Sequence, residues 1–129
     1  MTDKEYKQQK ARVEKILNKW RRILGLDGHR FHFNYVREYD DVKSAVASIN
    51  ALWQYKNHSI NIFLPKVAEI DSDYELTEAL VHEFVHVFIN PFQKEDPTKA
   101  EEEILEFATQ SITYAILWAY EEGKHEKQT

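Results

Sequence analysis

Across residues 3–24 the apolar residues Val13, Ile16, Leu17, Trp20, Ile23 and Leu24 recur at spacings of three and four. That period predicts a helix burying one stripe. Gly25 and Gly28 follow and predict its exit into a turn. The period then changes. In residues 30–37, Phe31, Phe33 and Tyr35 alternate with His32, Asn34 and Val36, which predicts a strand. Residues 39–43 read as a charged connection. Two β-like runs, 45–55 and 59–64, are separated by Lys56, Asn57 and His58 and predict a hairpin. In the second run Ile60, Ile62 and Leu64 share a face, and Pro65 closes it. This run is the expected sheet edge for an extended peptide, with an ordinary core strand as the alternative.

The helical period returns after Asp71, Ser72 and Asp73, each a candidate N-cap for a helix over 74–89. Asn90 and Pro91 stop it. Leu76, Ala79, Leu80, Phe84, Val85, Val87, Phe88 and Ile89 make this helix apolar nearly all round, which predicts burial. Residues 92–97 form a loop. Thr98, with Glu101 at capping-box spacing, opens a last helix running to about Glu122 and ending at Gly123. The expected fold class is α+β, one domain over residues 1–123 with a polar tail at 124–129. It has a small, mostly antiparallel three-stranded sheet packed with an N-terminal helix and two C-terminal helices. Trp20, Trp53 and Trp118 are the expected aromatic anchors of the core.

Composition narrows the function classes. A chain of 129 residues with 43% hydrophobic content suits one packed domain. Its net charge of −5 and its lack of a basic patch argue against nucleic acid as a partner. Cysteine is absent, which excludes disulfides and thiolate metal ligands. The first ten residues are polar, and no apolar run approaches the ~18 residues of a membrane span. A cytoplasmic monomer, without membrane contact, is the expectation.

Within the fifth predicted segment, the helix over 74–89, lies His82-Glu83-Phe84-Val85-His86, an HExxH sequence. Residues four apart share a helix face, so both imidazoles can reach one ion. Glu83, turned by about 100° from His82, borders that ion without binding it. There it can serve as general base for a water activated by the metal. The plain alternative is two core histidines satisfied by hydrogen bonds. His29, His32 and His125 read as surface or loop residues. His58 and Tyr114 are candidate oxyanion donors that the sequence cannot place.

A catalytic zinc takes a third protein ligand from a second element. The last helix opens with Glu101, Glu102, Glu103 and then Glu106. With Ile104 as the origin of the wheel, Ala108, Ile112, Ala115, Ile116 and Ala119 fall between about 20° and about 120°. Glu101 falls at about 60°, in the middle of that apolar face, and Glu102 at about 160°, at its margin. Glu103, at about 260°, and Glu106, at about 200°, point outward on the same wheel. A carboxylate on an apolar face needs a cation. Glu101 is therefore the expected third ligand, with Glu102 as the alternative.

HExxH followed by a glutamate on the next helix resembles the gluzincin pattern of zinc metallopeptidases. The string Glu101-Glu102-Glu103-Ile104-Leu105-Glu106-Phe107-Ala108 resembles the Glu-x-x-Ala-Asn-x-Phe-Ala segment of ImmA/IrrE-type peptidases, and small phage-encoded gluzincins are similar in size and element order. The resemblance spans about residues 45–119. It implies a zincin-like fold, Zn2+ as cofactor, a peptide or protein as substrate, and the leading glutamate, Glu101, as ligand. Ile104 and Leu105 depart from the family's small residue and Asn, so the usual partner of a ligating histidine is missing there. A shift by one residue pairs Glu102 with Glu106, the spacing of ligand and supporting acid in thermolysin-like enzymes. A non-catalytic zinc or protein-interaction module of phage origin is the competing expectation. Glu83 speaks against it, because a structural site has no use for that carboxylate.

Overall fold

The computed structural model describes residues 1–38 and 45–128, with side chains as far as Lys124. The expected charged connection at 39–43 and the His125 side chain lie outside the described residues. Helix α1 (Asp3–Ile23) is followed by strands β1 (Arg30–Val36), β2 (Ala47–Leu52) and β3 (Asn57–Phe63). A one-turn helix α2 (Leu64–Ala68), helix α3 (Asp73–Ile89) and helix α4 (Lys99–Gln128) complete the chain. The class is α+β, as the patterning predicts.

Local chemistry explains the boundaries. Thr2 caps α1 by accepting from the Glu5 N–H at 3.1 Å. Gly25, at φ +70°, ends α1 in the left-handed region open to glycine. Ser72 caps α3 by accepting from the Glu75 N–H. Thr98 and Glu101 form the expected reciprocal box, with the Glu101 N–H on Thr98 Oγ1 at 3.1 Å and the Thr98 N–H on Glu101 Oε1 at 3.3 Å. The last helix does not stop at Gly123 but continues to Gln128. A single glycine costs a helix only about 1 kcal/mol, too little to end one so long.

The sheet order is β1-β3-β2. β2 runs antiparallel to β3, as a hairpin should, but β1 runs parallel to β3. The sheet is thus mixed rather than mostly antiparallel. β3 is the central strand, so the expected edge at residues 59–64 is in fact the buried middle, and among the described strands the edges are β1 and β2. The register aligns Phe33, Ile60 and Ile49 across the three strands, and likewise Tyr35, Ile62 and Ala47. These residues share the inner face. Asn34, Asn61 and Ser48 share the other, and polar residues fill most of that face. A sheet of period two thus has one dry and one wet side.

The dry face packs under the helices. Val13, Leu17 and Trp20 of α1, Ile60 and Ile62 of β3, and Leu76, Leu80, Val81, Phe84 and Val85 of α3 form one buried cluster. Arg12 ties α1 to the α2–α3 junction, with Nε 2.7 Å from Asp73 Oδ1 and Nη2 donating to the Ile70 carbonyl at 2.7 Å. Trp20 is buried as expected, but Trp53 and Trp118 are exposed and anchor nothing in the core. No described helix is long and apolar enough to cross a membrane.

Candidate metal centre

Buried α3 presents His82 and His86 one turn apart, ring centroids 4.9 Å from each other. α4 packs alongside and supplies a carboxylate. Glu106 Oε1 lies 2.6 Å from His82 Nε2, and Glu106 Oε2 lies 3.3 Å from His86 Nε2. Ligand atoms of the three residues all lie within 4.8 Å of one another. Among the described residues this is the group that could hold a metal ion.

The hydrogen bonds around His82 fix what its ring can do. Glu78 Oε1 accepts from Gln110 Nε2 at 3.0 Å, which turns the Gln110 carbonyl oxygen toward His82 Nδ1, 2.6 Å away. That oxygen can only accept, so His82 Nδ1 carries the proton. Nε2 then offers a lone pair to the Glu106 carboxylate. Either a proton on Nε2 or a metal cation can join the ring to that carboxylate, and the donor set of two imidazoles and one carboxylate suits a divalent transition metal. Gln110 thus takes the supporting place that the sequence left empty at Leu105. Removing such a partner typically costs about 10–100-fold in metal affinity. Gln110→Ala is expected to weaken binding by about that factor, read by competition with a chromophoric chelator.

Glu101 does not reach the histidines. Its carboxylate is held by Lys94, 2.9 Å away, and by the Thr98 N–H, and these contacts pull its pKa below the usual range. Glu102 is exposed and stands outside the group. The wheel erred because it placed the buried face by its apolar letters. Ile104, Phe107 and Trp118 are exposed, whereas Thr109, Thr113 and Leu117 are buried. Both threonines satisfy their hydroxyls within the helix, on the carbonyls of Leu105 and Thr109 at 2.7 Å. Their methyls then pack as apolar groups. The true inner face is centred at about 170° on the same wheel, which brings Glu106, at about 200°, inward and leaves Glu101 aside.

Glu83 lies half-buried beside this group. Burial pushes its pKa up to about 8, and the Glu106 charge adds to the rise, while a backbone hydrogen bond from Ile49 pulls it back. His86 is drawn downward by burial first and by His82 second, against the opposing pull of Glu106 and a hydrogen bond with Asn90. Two adjoining clefts of about 330 and 340 Å³ share Ala47, Glu83 and Glu106 and form one groove past the histidines. A larger cleft of about 570 Å³ beside Met1, Glu5 and Arg37 brings together no comparable donor set among the described residues.

β2 forms the wall of the groove. The Phe63 N–H donates to the Val46 carbonyl at 2.9 Å. With Ala47 opposite Ile62 and Ile49 opposite Ile60, this sets Ala47 and Ile49 at positions whose backbone groups turn away from β3. The Ile49 N–H accordingly reaches Glu83.

The other candidate residues lie elsewhere. Tyr114 is exposed on the outside of α4. His58 is buried beneath the sheet, its Nε2 2.8 Å from His29 Nδ1, and its own Nδ1 has no partner among the described residues. Burial, before any nearby charge, lowers the pKa of both rings. Folded values below the unfolded value of 6.5 mean that the unfolded chain takes up protons first as the pH falls. The pair's contribution is therefore full above that value and is lost as the pH drops beneath it. As the pH falls from about 7.5 to about 5.5, the urea midpoint of the wild type is expected to lose ground relative to His58→Gln, a comparison in which contributions common to both chains cancel.

In comparisons with protein-family models, curated proteins and solved structures, nothing matches the chain. The donor set, the half-buried Glu83 carboxylate and the groove are the grounds for a functional reading.

Proposed function

We propose that this chain is a zinc-dependent peptidase of gluzincin type, with Glu106 as the carboxylate that joins His82 and His86. The observation that carries the reading is the Glu106 carboxylate set against both HExxH imidazoles, with Glu83 half-buried at the adjoining groove. Two imidazoles and one carboxylate, with Glu106 partly open to solvent, match a catalytic zinc site with a free coordination position better than a closed structural one. Zinc bound there supplies Lewis acidity and makes water a nucleophile near neutral pH.

The protein's own groups do the rest. Gln110 and Glu78 hold His82 in one tautomer. Glu83 takes a proton from the attacking water and passes it to the departing amine nitrogen. The edge of β2, with Ala47 and the Ile49 carbonyl facing the groove, would hold an extended peptide by strand addition. A non-catalytic module has no comparable use for a half-buried glutamate beside the histidines.

The test is elemental analysis of protein purified without chelators, followed by cleavage of a quenched-fluorescence peptide library. About one zinc per chain and chelator-sensitive cleavage are expected. Protein that takes up zinc but cleaves nothing supports the module. Protein that takes up no zinc ends the metal reading.

A further inference from the structure

The outer face of α4 carries apolar surface that the fold leaves uncovered. Ile104, Phe107, Tyr114 and Trp118 are 66%, 74%, 52% and 67% exposed. Together with exposed Ser111 they recur at steps of three and four, on the side of α4 turned away from Thr109, Thr113 and Leu117. Steps of three and four form the seam along which one helix packs on another. An aromatic side chain offers ~150–250 Å² when fully exposed, so this stripe presents roughly 500 Å². Such a patch is large for a small monomer. Two copies face to face would cover about 1,000 Å², the area at which a specific interface becomes reasonable.

The stripe also matches itself. With Ser111 set against Ser111 of the partner subunit, the spacing brings Ile104 to the partner's Trp118 and Phe107 to the partner's Tyr114. Large side chains then flank a small centre where two helices can cross closely. A two-fold contact requires a patch of this self-complementary kind. Helix dipoles and one charge favour a direction. An antiparallel pair sets the dipoles head to tail and keeps Glu103, which flanks the stripe near the start of α4, away from its copy, whereas a parallel pair brings the two together.

We infer that the outer face of α4 is the interface of an antiparallel homodimer, in place of the monomer expected from the sequence. The inner face of the same helix carries Glu106 and Gln110, so each copy would brace the helix that completes the other's metal centre while leaving both grooves open.

Sedimentation equilibrium at micromolar to submillimolar concentration tests this on the full chain. The wild type is expected at twice the 15.4 kDa of one chain, and Phe107→Glu and Trp118→Glu at the single-chain mass with unchanged circular dichroism. The chain has no cysteine of its own. Ser111→Cys is therefore expected to form a disulfide-linked dimer on oxidation, and Ile104→Cys is not. A wild-type mass of one chain throughout the range overturns the inference and assigns the stripe to a different partner. A dimer that persists in both glutamate variants overturns it as well, and Ile104→Cys linking as readily as Ser111→Cys overturns the antiparallel arrangement. None of these readouts depends on bound metal or on peptide cleavage, so their failure is separate from failure of the peptidase reading.

Discussion

Glu83→Gln is expected to keep its zinc and to lose peptide cleavage by about 10²–10⁴-fold, the usual worth of a positioned general base. The separation of the two effects follows from geometry. Glu83 is not among the three residues whose ligand atoms converge, so the amide should leave the metal in place. It cannot, however, accept a proton. The same substitution should stabilise the metal-free protein. The folded pKa of Glu83, about 8, lies above its ordinary 4.5, because the carboxylate is half-buried and faces Glu106. Between those values the unfolded chain is ionised while the folded one still holds its proton. Stability is therefore lost as the pH rises through this window, by an amount on the order of 4 kcal/mol at its upper end. The neutral amide of the variant carries no such cost. A melting temperature for metal-free Glu83→Gln that exceeds the wild type at pH 8, with the gap closing toward pH 5, is the expected signature. Equal melting curves at both pH values would mean that the carboxylate is not buried in the apo protein.

The second large effect concerns the identity of the third ligand. Glu106→Gln is expected to reduce zinc affinity by more than the ~10–100-fold typical of a supporting residue, because it removes the one carboxylate that bridges both imidazoles. Glu101→Gln is expected to retain zinc. It should loosen the start of α4 only slightly, because the amide oxygen can still accept the Thr98 N–H and only the pairing with Lys94 is lost. Chelator competition and thermal melts, run on both variants, separate the two roles. Loss of zinc in Glu101→Gln with retention in Glu106→Gln would reverse the assignment.

What could be read from the sequence divides along physical lines. The alternation of Phe31, Phe33 and Tyr35, and the shared face of Ile60 and Ile62, place side chains on the inner face of the sheet, and the inner face is where they are. Strand order is another matter. A period of two says which side of a strand is dry but not which neighbour it pairs with, so the parallel β1–β3 pairing and the central place of β3 had no sequence signal. HExxH set His82 and His86 on one helix face because four residues make about one turn, and that geometry is local. The third group depends on how α4 is rotated against α3, which is not. Rotation was inferred from Ile104, Ile112 and their apolar neighbours, yet Ile104 faces solvent and two threonines take the core. One signal could have corrected it. Leu105, Thr109, Thr113 and Leu117 recur every four residues with no charge among them, and beside that uncharged stripe stand Glu106 and Gln110, one turn apart.

The edge of β2, open among the described residues, is also a hazard to the chain itself. Unpaired backbone groups along a strand are a template for any extended segment, including one from a misfolded copy. Three features blunt it. The strand is only six residues long. It ends in a 3₁₀ turn, Trp53–Tyr55, which breaks the ladder. And its outward positions include Ser48 and Asn50, which give a second sheet no apolar face to stack on. Substitutions that lengthen or flatten this strand, or make Ser48 and Asn50 apolar, should lower solubility before they alter stability, and solubility is then the property that limits how freely the groove can be re-engineered.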